Sequence, residues 1–207
     1  MTTASETVIA VLVSGNGSNF QAIVDALEAG RIKNARIACL VSNKADAYAL
    51  QRAANHNIKS IVLDNKVYPD RRSYDAAMVA LLREHGVTLV VLAGFMRILS
   101  DVMVNAFPNA IMNIHPALLP SFPGLDAQKQ AIDYGVRYTG CTVHFVDTGT
   151  DTGPIIVQSV VPVLSDDTVE SLTQRIHGEE HASYVEAVRL YCDGKIRVDG
   201  RHVLISQ

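Results

Sequence analysis

The sequence predicts an α/β protein with a doubly wound, mostly parallel sheet, helices on both faces and a mixed edge. Three observations carry this prediction. The run Val8-Ile9-Ala10-Val11-Leu12-Val13 is continuously apolar and β-branched, as in a strand buried on both faces of a parallel sheet. Stretches of helical spacing separate such runs, and strands alternating with helices imply parallel pairing. After Pro123 the rhythm changes, and two strand-like runs follow one another across the Gly/Thr/Asp-rich loop 147–154, as in a hairpin at one edge.

The elements follow in order. Strand 8–13 is broken by Ser14-Gly15-Asn16-Gly17-Ser18-Asn19. Over 20–29, Ile23, Val24 and Leu27 recur at helical spacing and Gly30 stops the helix. A strand over 36–41 leads to a helix over 46–55, and a strand over 58–63 leads to a helix over 70–85. Strand 87–93 ends at Gly94-Phe95-Met96-Arg97, and a short helix over 100–106 precedes the strand that carries Asn113 and His115. Residues 126–134 read as helix, and 138–146 with 155–161 as the hairpin strands. Over 167–190 a long amphipathic helix sets Val169, Leu172 and Ile176 on one face. Ile196, Val198, Val203 and Ile205 alternate, which suits a small terminal ribbon. With no internal repeat or linker, residues 1–207 read as one domain with halves 8–110 and 111–190 and a tail 191–207.

Composition excludes several classes of function. A chain of 207 residues, 48% hydrophobic and 19% charged, builds a substantial core and is not disordered. A net charge of −3 gives no basic footprint for nucleic acid, so any anion must be held by local geometry. Cys39, Cys141 and Cys192 have no CxxC spacing, which argues against a disulfide scaffold or a thiolate zinc site and suits a reduced cytosol. Residues 1–7 have no basic n-region, and the apolar run 8–13 is too short for a signal sequence. No run has the length of a membrane span. The expectation is a cytoplasmic protein with neither nucleic acid nor membrane as partner.

Three constellations carry chemistry. In Gly15-Asn16-Gly17-Ser18-Asn19, glycines permit close backbone approach, and N–H groups at a helix start favour an anion. No Gly-Lys-Ser/Thr follows and Phe20 fills the third glycine position of a dinucleotide fingerprint, so a single phosphate fits better than a nucleotide. The structural alternative is a tight turn with Ser18 as N-cap.

The second constellation is Asn113-Ile114-His115-Pro116. Asn113 and His115 share one face of a strand that Pro116 ends, so an amide and an imidazole stand together at a strand's C-terminal end, where open α/β sheets bind ligands. Loop 147–154 offers Asp147 or Asp151 as an acidic partner, and spacing does not choose between them. The third is His177-Gly178-Glu179-Glu180-His181, which fits an inverted zinc-protease pattern. Gly178 interrupts the ligand turn and no third ligand lies nearby, so no metal site is expected, and a polar helix face is the better reading.

Together these segments resemble the folate-dependent phosphoribosylglycinamide formyltransferases. The resemblance runs from Val8 to about Leu190. It rests on Ser14-Gly15-Asn16-Gly17-Ser18-Asn19, Val41-Ser42-Asn43-Lys44-Ala45-Asp46-Ala47, Leu92-Ala93-Gly94-Phe95-Met96-Arg97-Ile98-Leu99, Asn113 to Pro120 with Gly124, and His144-Phe145-Val146 followed by Asp151-Thr152-Gly153-Pro154. It implies formyl transfer from 10-formyltetrahydrofolate, as cosubstrate and without a metal, to the amine of glycinamide ribonucleotide. Asn113, His115 and Asp151 would be catalytic, with Asp151 the acid that tunes the histidine. Gly15, Asn16, Gly17, Ser18 and Asn19 would hold the ribotide phosphate, and Glu180 would stand near its amine. Arg71, Met96, Arg97, Ile98, Leu99 and Asn113 would meet the folate. Thr142 and His177 depart from the family pattern. A 10-formyltetrahydrofolate hydrolase, with water as acceptor, is the nearest alternative, and a homodimer is compatible with either.

Overall fold

The computed structural model describes residues 6–206; residues 1–5 and 207 lie outside the described residues. The first strand, β1 (Thr7–Val13), is buried throughout. Ile9, Val11 and Val13 enter one apolar cluster, and Val8, Ala10 and Leu12 enter a second on the opposite face. That is the two-residue alternation of a strand sandwiched between helical layers. After it come α1 (Ser18–Glu28), β2 (Ala35–Ser42), α2 (Tyr48–Asn55), β3 (Ser60–Val62), α3 (Arg71–Glu84), β4 (Leu89–Leu92), α4 (Asp101–Ala106) and β5 (Ile111–His115). The second half holds α5 (Ala127–Tyr134), β6 (Tyr138–Phe145), β7 (Ile155–Pro162), α6 (Val169–Cys192) and a separate ribbon, β8 (Ile196–Asp199) with β9 (His202–Ile205).

The sheet runs β3-β2-β1-β4-β5-β6-β7. Its first five strands pair in parallel, while β6 and β7 pair antiparallel, so the mixed edge is present. Residues of α1, α2 and α6 join the first cluster and those of α3 and α4 the second, so helices cover both faces. Several elements are shorter than the sequence predicts, β4 among them at four residues against the expected 87–93, and two show why. Only 60–62 of the strand expected over 58–63 is strand, as befits an outer strand whose Ser60 and Val62 face solvent. The helix predicted over 46–55 begins at Tyr48, because Ala47 is extended.

Strand order reverses between β1 and β4, and such a reversal opens a crevice at the carboxyl ends of the strands. The loops after β1 and β4 flank that crevice, and β5 lies next to β4. The three sequence constellations converge on this end of the sheet.

Candidate active site

At the end of β5, register decides which side chains meet. Asn113 pairs with Leu92 on β4 and with His144 on β6, and His115 pairs with Thr142. His115 is buried; its Nδ1 lies 3.4 Å from Asp151 Oδ2 and its Nε2 lies 2.8 Å from the Phe122 carbonyl oxygen. A carbonyl only accepts, so Nε2 carries the hydrogen in this arrangement. Asp151 reaches in from the β6–β7 loop with a left-handed backbone, φ 54°, which aspartate tolerates better than most residues. Its Oδ2 also accepts from the Gly124 N–H at 2.8 Å. Asp147, the other acid, turns within its own loop, where its Oδ1 accepts from Gly149 N and Thr152 Oγ1. The structure thus brings Asn113, His115 and Asp151 together and leaves Asp147 out.

Two polar neighbours complete this corner, and sequence reasoning assigned neither a role. His144 Nε2 lies 3.3 Å from Asn113 Nδ2 and 3.7 Å from Asp151 Oδ1. Thr142 is fully buried, and its hydroxyl donates to the Ala117 carbonyl at 2.7 Å while accepting from Leu119 N and Gln158 Nε2 at 3.0 Å each. Thr142 therefore fixes the chain as it leaves His115. Both residues sit on an antiparallel partner strand, so only the register of that pairing reveals them.

Loop 14–19 forms a second wall. Gly17 has φ 74°, and a Cβ there would lie 2.6 Å from Ala49 Cβ on α2, so this glycine is demanded by backbone and packing together. A Cβ at Gly15 would meet nothing within 4 Å. Ser18 is the first residue of α1 rather than its N-cap; that position is held by Gly17 in a left-handed conformation, and having no side chain it leaves the first N–H groups uncapped. Arg52 pins Asn16 through the carbonyl and the side-chain oxygen, at 3.0 Å each. Asn19 is buried and donates to Glu180 Oε2 at 3.2 Å. Asn19 Oδ1 and His181 Nε2 are buried without a partner among the described residues. The His177–His181 turn of α6 is thus split: Glu180 points at Asn19 with His177 Nε2 3.9 Å away, and burial pushes the His181 imidazole below its usual pKa.

The third wall is the segment after β4. Met96 and Ile98 are exposed apolar side chains, 72% and 60% accessible, while Leu99 packs on the second apolar cluster. The Arg97 guanidinium lies over the Tyr74 ring, 5.0 Å from its centre, and Arg71 opens the same helix, α3, one turn earlier. The Ser14 hydroxyl accepts from Met96 N at 2.9 Å and donates to Asn43 Oδ1 at 2.7 Å, tying this wall to loop 14–19.

The formyl transferase family model matches residues 7–188. The chain belongs to that family. A Symbiobacterium toebii structure described as glycinamide ribonucleotide transformylase 1 shares 50% identity at a TM-score of 0.96, covering 98% of this chain and 95% of that one. A Chironomus tentans trifunctional purine biosynthetic protein is 46% identical over 194 residues, 93% of this chain and 14% of that protein, so the chain spans about one seventh of this family member. A Pseudomonas syringae formyltetrahydrofolate deformylase shares the fold at a TM-score of 0.91 with 25% identity, over 99% of this chain and 67% of that one.

Proposed function

We propose that the chain transfers the formyl group of 10-formyltetrahydrofolate to the amine of glycinamide ribonucleotide. The observation that carries this reading is the junction at the end of β5. Asn113, His115 and Asp151 meet there, between an anion-suited loop at the start of α1 and an exposed apolar ridge after β4. The first-turn N–H groups of α1, free of any side-chain cap, suit the ribotide phosphate. Asn19, in that same first turn, donates to the buried Glu180, so a polar pair lines the helix start where the ribotide would sit. Met96 and Ile98 offer an apolar surface to a pterin ring, backed by Leu99 from the apolar cluster beneath, and Arg71 and Arg97 offer charge to the carboxylates of the folate tail.

In this reading the amine attacks the formyl carbon, and the carbonyl oxygen becomes anionic in a tetrahedral intermediate. The Asn113 amide and the His115 Nε2–H donate to that oxygen, which is the group of atoms where charge develops. For this, His115 must release the Phe122 carbonyl that it meets at 2.8 Å. Asp151 faces the opposite ring nitrogen, so it aims Nε2 outward and stabilises the positive charge of a protonated ring. Collapse of the intermediate breaks the bond to the folate nitrogen, and the proton lost by the amine goes to that nitrogen through His115 or water.

A hydrolase would use the same three residues with water as the acceptor. Loop 14–19 with Asn19 and Glu180 favours the transferase, because water needs no phosphate seat. The fate of a labelled formyl group tests the choice. Label appearing in the ribotide supports the reading, and label appearing only as formate overturns it.

A further inference from the structure

Among the described residues, His144 is the one buried titratable side chain at the reacting corner that the mechanism above leaves unused. It stands directly across the β5–β6 ladder from Asn113 and is 2% exposed. Its Nδ1 lies 2.8 Å from the Phe145 carbonyl, which can only accept, so the ring hydrogen sits on Nδ1. Burial pushes the imidazole below its usual pKa, His115 acts in the same direction, and Asp151 and Asp147 oppose. The neutral ring then has a bare lone pair on Nε2, and the group facing that lone pair at 3.3 Å is Asn113 Nδ2. Were the amide turned over, its carbonyl oxygen would face that lone pair, with a carboxylate oxygen of Asp151 only 3.7 Å from the same nitrogen. Three electron-rich atoms would crowd one dry corner.

We propose that His144 is a positioning residue that acts through Asn113: its Nε2 lone pair takes one Nδ2 hydrogen and so holds the amide with its second N–H free for the formyl oxygen. This rests on the acyl-transfer reading above. His144 touches no substrate atom in it. The imidazole works as an acceptor, the reverse of the donor role of His115 two strand positions away from Asn113. Two histidines on neighbouring strands thus divide the work, one held neutral by burial and the other backed by a carboxylate.

Two substitutions separate positioning from packing. His144→Phe keeps a planar ring without an acceptor, and His144→Gln puts an amide oxygen near the place of Nε2. His144→Phe should lower kcat about 100-fold, the scale of losing one oxyanion donor, with both KM values within about threefold. His144→Gln should return kcat to within about tenfold of the parent protein. The acid limb of its kcat–pH profile should also change, since protonating His144 turns its acceptor into a donor and glutamine does not titrate. A kcat within threefold of the parent in His144→Phe would overturn the inference, and so would a His144→Gln variant no better than His144→Phe. Should His144→Phe fail to fold, an unchanged acid limb in His144→Gln overturns it. One arm needs no activity: in ¹⁵N NMR, one Asn113 side-chain amide proton should lie downfield in the parent and in His144→Gln. An ordinary, averaged pair of shifts would overturn the inference even if formyl transfer is confirmed, and the shifted signal would support it even if transfer is not.

Discussion

At the scale of single residues, Asp151 carries the most specific of the proposed roles. Asp151→Asn keeps the size of the side chain and an acceptor for the Gly124 N–H but removes the negative charge facing His115. It should fold normally and lose about 100-fold or more in kcat, with both KM values little changed. Near-parent turnover across neutral pH would remove the assigned role. The glycines of loop 14–19 divide in a way that only coordinates show. Gly17→Val forces a β-branched residue to φ 74° and against Ala49, so it should lower the melting temperature and report on packing. Gly15→Val meets open space instead, so it should raise the KM for the ribotide at least tenfold with an unchanged melting temperature. An unchanged KM in that variant would mean that the phosphate sits elsewhere. Asn113 and His115 are legible in the sequence because residues two apart on a strand share a face and Pro116 ends that strand. The choice between Asp147 and Asp151 is not, because both lie in one short loop and only its turn sends one inward. Nor is His144, whose neighbour is set by a cross-strand register that no local pattern encodes.

At the scale of elements, the walls of the crevice are tied together rather than hung separately. Ser14 ends the β1 segment and bonds both Asn43 and the backbone of Met96, and Asn43 in turn donates to Asn65 at 3.0 Å. This relay lets the loop after β1 set the height of the segment after β4. Ser14→Ala should therefore raise the KM for 10-formyltetrahydrofolate about five- to tenfold, the size of one or two net hydrogen bonds, while the kcat stays within threefold. A loss confined to thermal stability would show that the relay is structural only. On the face it shares with α1 and α2, α6 is held by Tyr184, whose hydroxyl lies 3.0 Å from the Leu92 carbonyl and 2.9 Å from that of Met112. That anchor fixes Glu180 one turn earlier on the same helix. The existence and order of the elements follow from hydrophobic periodicity alone, including the hairpin and the terminal ribbon. Their ends do not. The outer strand shrinks to three residues because the unpaired edge gives no reason to extend, and α1 gains Ser18 because Gly17 adopts a left-handed turn.

At the scale of the whole molecule, function follows from where the sheet reverses. β1 leads towards β2 and β3, and β4 leads towards β5, so the loops at their carboxyl ends diverge and leave a crevice between them. The antiparallel strands β6 and β7 close one side of it and deliver Asp151 through the loop that joins them. A net charge of −3 supplies no general attraction for a phosphate, so in the proposed reading that task falls to the helix start and its loop. Among the described residues no helix is long and apolar enough to cross a membrane. The resemblance in five ordered motifs and the family match over residues 7–188 agree on the frame, and the geometry says which parts of that frame face one another. In the proposed function this frame is built for an amine anchored by its phosphate. That reading is tested by following tetrahydrofolate release from 10-formyltetrahydrofolate with and without glycinamide ribonucleotide. Release that depends on the ribotide is the predicted result, and equal release in its absence would contradict it.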